Sequence, residues 1–232
     1  MEQSNKPNAR RKFLGTLAAS AGIGIASLAL PNNMAAAPLD LTTEPGPGDA
    51  DKWFDKVKGK HRIVFDCTQP HEIFPFAWPK VFLLTNQGTG SAISDCTAVV
   101  ILRHTAIAYA FDSRIWEKYH FGELFGAPDP KTKAPATRNP FWQPAAGDFK
   151  LPGIGEVQIG IDQLQADGVM FCVCEMAISV FTGAAGMQMK MDAADVRKEW
   201  MAGLLPGIQP VPSGVWAVGR AQEHGCAYCF AG

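Results

Sequence analysis

Charge of either sign is in short supply. Only 19 % of the 232 residues are Asp, Glu, Lys or Arg, and they nearly cancel, leaving a formal net charge of −1. A chain so balanced has no electrostatic footprint for a polyanion, so nucleic acid is not expected as a partner. The short motifs that announce common chemistries are missing as well: there is no GxSxG, no HExxH, no phosphate-binding glycine loop and no CxxCH. Gly88 and Gly90 are too few to cradle a phosphate. The five histidines, His61, His71, His104, His120 and His224, stand at no ligand spacing from one another. Hydrolase, nucleotide and haem chemistries therefore have no support, and no cofactor or metal site is expected.

The N-terminus is the first positive feature. Lys6, Arg10, Arg11 and Lys12 form a basic patch before an apolar stretch from Phe13 to Leu30, and "NNMAAAP" follows with Ala35 and Ala37 in a small-x-small pattern. The stretch "ARRKFLG" resembles the twin-arginine translocation motif, with Arg10 and Arg11 as the pair and Phe13-Leu14 as the apolar residues after it. An ordinary export signal or an uncleaved anchor is the alternative, although the apolar stretch barely reaches the ~20 residues that a spanning helix needs. The resemblance implies residues 1–37 as an export signal cleaved after Ala37, the translocase as a partner during export, and a periplasmic or secreted mature chain that folds before it crosses. Residues 1–37 carry four positive charges and one negative, so their removal takes the formal charge from −1 to −4.

Residues 38–60, "PLDLTTEPGPGDADKWFDKVKGK", are dense in Pro, Gly and acidic side chains and read as a linker. The rest, 61–232, reads as one domain. Apolar runs at "HRIVFDCT", "CTAVVILRH", "GVMFCVC", "PGIQPVPSG" and "CAYCFA" predict strands. Between them, helical spacing predicts helices over about 76–87, 157–168, 192–203 and 214–225, with shorter helical pieces after 104. Strands alternating with helices predict a three-layer α/β/α fold around a mostly parallel sheet of about five strands, flavodoxin-like in outline. The Pro-rich insertion at 126–152 is long for a loop inside a domain, a feature associated with lids and partner surfaces.

Six cysteines remain to be explained. A domain of this size needs no disulfides to fold, and six cysteines allow fifteen complete pairings among which sequence cannot choose. Cys67 and Cys96 sit in or beside the first two strands as core or disulfide candidates. Cys226 and Cys229 spell CxxC, but as residues i and i+3 of a strand they face opposite sides. Cys172 and Cys174 end the "GVMFCVC" run and share a face if the strand stays regular to its end. Ligands of open α/β sheets bind beyond the carboxyl ends of strands, where the N-terminus of the next helix favours a thiolate; Cys174 is the candidate for a reactive thiol and Cys172 for a core residue. In "GMQMKMD", Met187, Met189 and Met191 alternate, and thioethers are soft ligands for Cu(I). A non-enzymatic binding protein, for Cu(I) or for a partner protein, is the alternative function.

The stretch from Gln163 to Phe230, with "LQADGVMFCVC", "LLPGIQPVPSGV" and "HGCAYCF", resembles the DsrE/DsrF-like family of small α/β proteins that includes sulfur-relay subunits. The likeness is strongest over this segment and extends from Arg62 onward, outside the 126–152 insertion. In the sulfur-carrying members a cysteine at the end of the strand before a helix takes up persulfide sulfur, and Cys174 falls at that position. The resemblance implies sulfur (persulfide) transfer or thiol redox chemistry through Cys174, a sulfur donor or acceptor protein as partner, and assembly into a homo-oligomer.

Overall fold

The computed structural model describes residues 47–232. Arg10, Arg11, the apolar stretch 13–30, the cleavage site at Ala37 and the first part of the 38–60 segment lie outside the described residues. No helix among the described residues is long and apolar enough to cross a membrane.

Five strands, β1 (His61–Cys67), β2 (Cys96–Leu102), β5 (Met170–Cys174), β6 (Ile208–Val211) and β7 (Ala227–Phe230), form one sheet in the order β6-β5-β2-β1-β7. Every neighbouring pair is parallel. β3 (Lys150–Leu151) and β4 (Gly155–Glu156) make a separate antiparallel pair. Helices cover both faces, as the three-layer expectation requires. β2, β5 and the Ile63–Phe65 stretch of β1 are almost wholly apolar because both of their faces are covered. On one face Phe65, Cys67, Val100, Leu102, Phe171 and Val173 join the larger core, beneath the helices Phe74–Gly88, Glu175–Met189 and Ala193–Ala202. On the other, Val64, Val99, Ile101 and Cys172 join a smaller core beneath the helix Gly214–Glu223.

Two segments differ from their sequence reading. Residues Pro47–Trp53 are helical and run into a 3-10 turn at Phe54–Lys56. Ala50, Trp53, Phe54 and Val57 are buried in the smaller core, so this part of the supposed linker is a layer of the domain. Polar residues dominate its composition, but the four apolar ones fall on one side of a short helix. The 126–152 insertion has almost no regular structure, yet it is anchored. Phe141 is fully buried and stacks on Phe76 at 4.2 Å and on Phe149 at 5.1 Å. The buried Asn139 amide donates to the carbonyls of Tyr109 and Phe111, both at 2.9 Å, and its oxygen accepts from the Phe141 N–H at 3.1 Å. These bonds satisfy two carbonyls of the preceding 109–111 segment and one N–H of the loop itself. Its second half, from Asn139 to Phe149, is thereby tied into the larger core.

Candidate functional site

The connection after β5 runs to the helix Glu175–Met189 on the larger-core face, whereas that after β6 runs to Gly214–Glu223 on the other face. Neighbouring strands whose following helices diverge leave a crevice beyond their carboxyl ends, the place where open α/β sheets bind ligands. Cys174 pairs with Val211 at the last step of the β5–β6 ladder and so stands at the carboxyl ends of these two strands.

Cys174 ends β5 and is the N-cap of the helix that follows. Its Sγ accepts a hydrogen bond from the Ala177 N–H at 3.3 Å. That N–H is one of the orphan donors of the first turn, and a sulfur so placed faces the positive end of a fifteen-residue helix. The residue is 6 % exposed. Glu175, the acid next to it, is buried and faces Arg197 of the neighbouring helix at 3.7 Å, which offsets its charge. Cys172 has no exposed surface. Burial, with the nearby Cys174 second, pushes its thiol well above the ordinary range. The pair does not share a core: Cys172 lies in the smaller cluster and Cys174 in the larger; the Cys174 backbone is still extended, but its sulfur turns to the Ala177 N–H in the first turn of the helix.

Three further side chains that sequence reasoning missed meet one another at the neighbouring strand ends. Leu102 pairs with Val173, so Arg103 and Cys174 follow at adjacent strand ends, the Arg103 stem toward the helix Gly214–Glu223 and Cys174 in the larger core. Arg103 donates from Nε and Nη2 to the two oxygens of Asp66 at 2.6 and 2.9 Å. Tyr228, from β7, donates to Oδ2 of the same carboxylate at 2.9 Å. Asp66 is only 2 % exposed, so all three bonds form largely out of water. The Asp66 hydrogen bond holds the Arg103 guanidinium charged beyond its ordinary range, against the opposing effect of burial, and the Asp66 charge adds to this. Burial first, then Asp66, push the Tyr228 phenol up, which keeps it a donor. The stem of Arg103 lies flat on Gly214, where a Cβ would stand 2.5 Å from the Arg103 Cβ. A charged residue at the end of each of two apolar strands, Asp66 in "HRIVFDC" and Arg103 in "CTAVVILRH", was the available signal.

The other candidates do not join this site. Met187 and Met189 lie in a helix, where residues two apart do not face each other, and Met191 follows the helix end against the larger core. Cys67 and Cys226 are buried, Cys96 and Cys229 partly so, and all six cysteines are free. Burial pushes the Cys226 thiol up to about 11 and holds Cys67 well above the ordinary range. His61 hydrogen-bonds Ser91, while His71, His104 and His224 pack on Phe74, Phe181 and Phe54. Among the described residues no group of three or more His, Cys, Asp or Glu side chains is placed to hold a metal ion.

No protein-family model matches the chain, and no match is found among curated proteins.

Proposed function

We propose that this is an exported sulfur carrier, DsrE-like in type, in which Cys174 accepts and passes on persulfide sulfur. The observation that supports it most is the position of the Cys174 Sγ: at the carboxyl ends of β5 and β6, capping a long helix and accepting a hydrogen bond from Ala177. Cysteine attacks as its thiolate, and nucleophilic cysteines commonly stand at helix N-termini. The thiolate attacks the outer sulfur of a donor persulfide. A new S–S bond forms on Cys174, the donor's S–S bond breaks, and its thiolate leaves with the electron pair, so no external oxidant is consumed. Delivery to an acceptor thiol is the same exchange run outward. Met176 and Val215, exposed in the first turns of the two diverging helices, give a donor or acceptor protein apolar purchase beside the thiol. On this proposal the twin-arginine segment delivers the folded chain to the periplasm or beyond, as one of several like copies.

Brief alkylation of the reduced, folded protein followed by peptide mapping tests it, together with incubation with glutathione persulfide and measurement of intact mass. Cys174 should label while Cys172 stays inert until unfolding, and the protein should gain the mass of one sulfur atom. Cys174→Ser should abolish the gain, whereas Cys172→Ser should leave it and lower stability. An unlabelled, dispensable Cys174 sinks the proposal.

A further inference from the structure

Ion pairs taken out of water are seldom a net source of stability, because desolvation offsets the attraction between the charges. The Asp66–Arg103 pair stands at the carboxyl ends of β1 and β2, one strand from Cys174, and what its geometry provides is a fixed cation. Asp66 takes two of the five guanidinium N–H groups, Tyr228 holds the carboxylate from the β7 side, and Gly214 supports the stem. The plane of the guanidinium is thereby set before any ligand arrives. Nη1 has no acceptor among the described residues, and the side chain is 28 % exposed, so its remaining edge is open to a ligand. A rigid fork with unused donors suits an anion, and a preorganised group does not lose side-chain entropy again on binding.

We propose that Arg103 is a specificity-determining residue that favours negatively charged sulfur donors, persulfide or thiosulfate-type anions, over neutral ones at the Cys174 thiol. The inference rests on Cys174 being the reactive thiol. With thiosulfate the attack forms the Cys174 S–S bond, and the S–S bond of the donor breaks with sulfite leaving on the electron pair. With a persulfide anion the leaving group is a thiolate. Both bring negative charge to a negative nucleophile, a repulsion that Arg103 offsets. Glu175, the acid adjoining Cys174 in the chain, is turned to Arg197 and leaves this balance to Arg103.

Two alkylating reagents of nearly equal size test the charge preference without any sulfur chemistry: iodoacetate is anionic and iodoacetamide neutral. Arg103→Gln should lower the Cys174 rate with iodoacetate about tenfold relative to that with iodoacetamide, equivalent to ~1.4 kcal/mol. Arg103→Lys should restore part of the ratio, as it retains the charge and loses the fork. Thiosulfate and glutathione persulfide, offered separately, identify which anion is the donor by which one adds sulfur to Cys174 in an Arg103-dependent way. An unchanged iodoacetate-to-iodoacetamide ratio in folded Arg103→Gln overturns the proposal. Should that variant not fold, added salt decides with the natural chain: screening should depress the iodoacetate rate selectively, and equal effects on both reagents overturn it. A Cys174 inert to both reagents in the natural chain overturns this inference and the carrier function together, which separates the two failures.

Discussion

Gly214 and Gly219 lie in the same helix, and replacing each with alanine should change stability in opposite directions. Alanine in a helix is favoured over glycine by ~0.5–1 kcal/mol, because the unfolded chain loses freedom and the helix keeps its bonds. At Gly219 a Cβ would meet nothing within 4 Å, so Gly219→Ala should show that gain undiminished. At Gly214 the Cβ would stand 2.5 Å from the Cβ, 2.7 Å from the Cδ and 3.1 Å from the Cγ of Arg103. Carbon atoms rest at ~3.5–4.0 Å, so about 1 Å must be opened. A rotamer change cannot open it, because the nearest atom is fixed to the backbone. The helix start must back away from β2, or the end of β2 must shift and loosen the Asp66 pairing. Overpacking of this kind costs ~1–3 kcal/mol, and after the helical gain Gly214→Ala should be destabilised by ~1–2 kcal/mol. For a domain of this size each kcal/mol moves the Tm by ~2–4 °C, which sets the expected fall at ~2–8 °C. Scanning calorimetry on both variants in one buffer measures it. A Gly214→Ala protein as stable as Gly219→Ala would refute the close packing of Arg103 on this helix.

Three other outcomes follow from the same structure. Phe54→Ala should cost ~3–5 kcal/mol in urea unfolding, since the ring is fully buried and packs edge-on to Trp53 and Trp216; a change within ~0.5 kcal/mol would mean that the segment is a linker after all. Glu199 is held below the ordinary carboxylate range by hydrogen bonds from Lys118 and then Tyr119, so its contribution is present above its unfolded value and is lost as pH falls through the folded one. Glu199→Gln should therefore be less stable than the natural protein near neutrality and match it in acid, and a gap independent of pH would contradict this. Replacing Arg10 and Arg11 together with Lys should hold the protein in the cytoplasm, because Lys cannot reproduce the paired planar guanidinium groups; cell fractionation with immunoblotting shows it, and normal export rules out the twin-arginine route.

Much of the sheet was legible along the chain. A strand covered on both faces is apolar through its middle, so "TAVVIL" and "MFCVC" could be read without knowing their neighbours, and the five strands emerged in order with most of the helices between them, whereas the fifteen-residue helix Glu175–Met189 was given no bounds. The 47–57 segment escaped because average composition hides four apolar residues set at helical spacing, and their burial depends on a sheet face supplied from elsewhere in the chain. The anchoring of 126–152 escaped for a related reason: Asn139 is useful only once the Tyr109 and Phe111 carbonyls are brought to it.

The candidate site divides in the same way. Local sequence determined that Cys174 ends an apolar strand and begins a helix, since a run of strand formers giving way to small, helix-compatible residues fixes a junction by itself. Strand order decided everything that surrounds it. Asp66 and Arg103 are 37 residues apart and Asp66 and Tyr228 are 162 apart. No local pattern couples them; they meet because β1 pairs with β2 on one side and β7 on the other in a fixed parallel register. The divergence of Cys172 and Cys174 into different cores was likewise settled in space, where the first turn of the helix, and not the two-residue period of the strand, directs the last side chain.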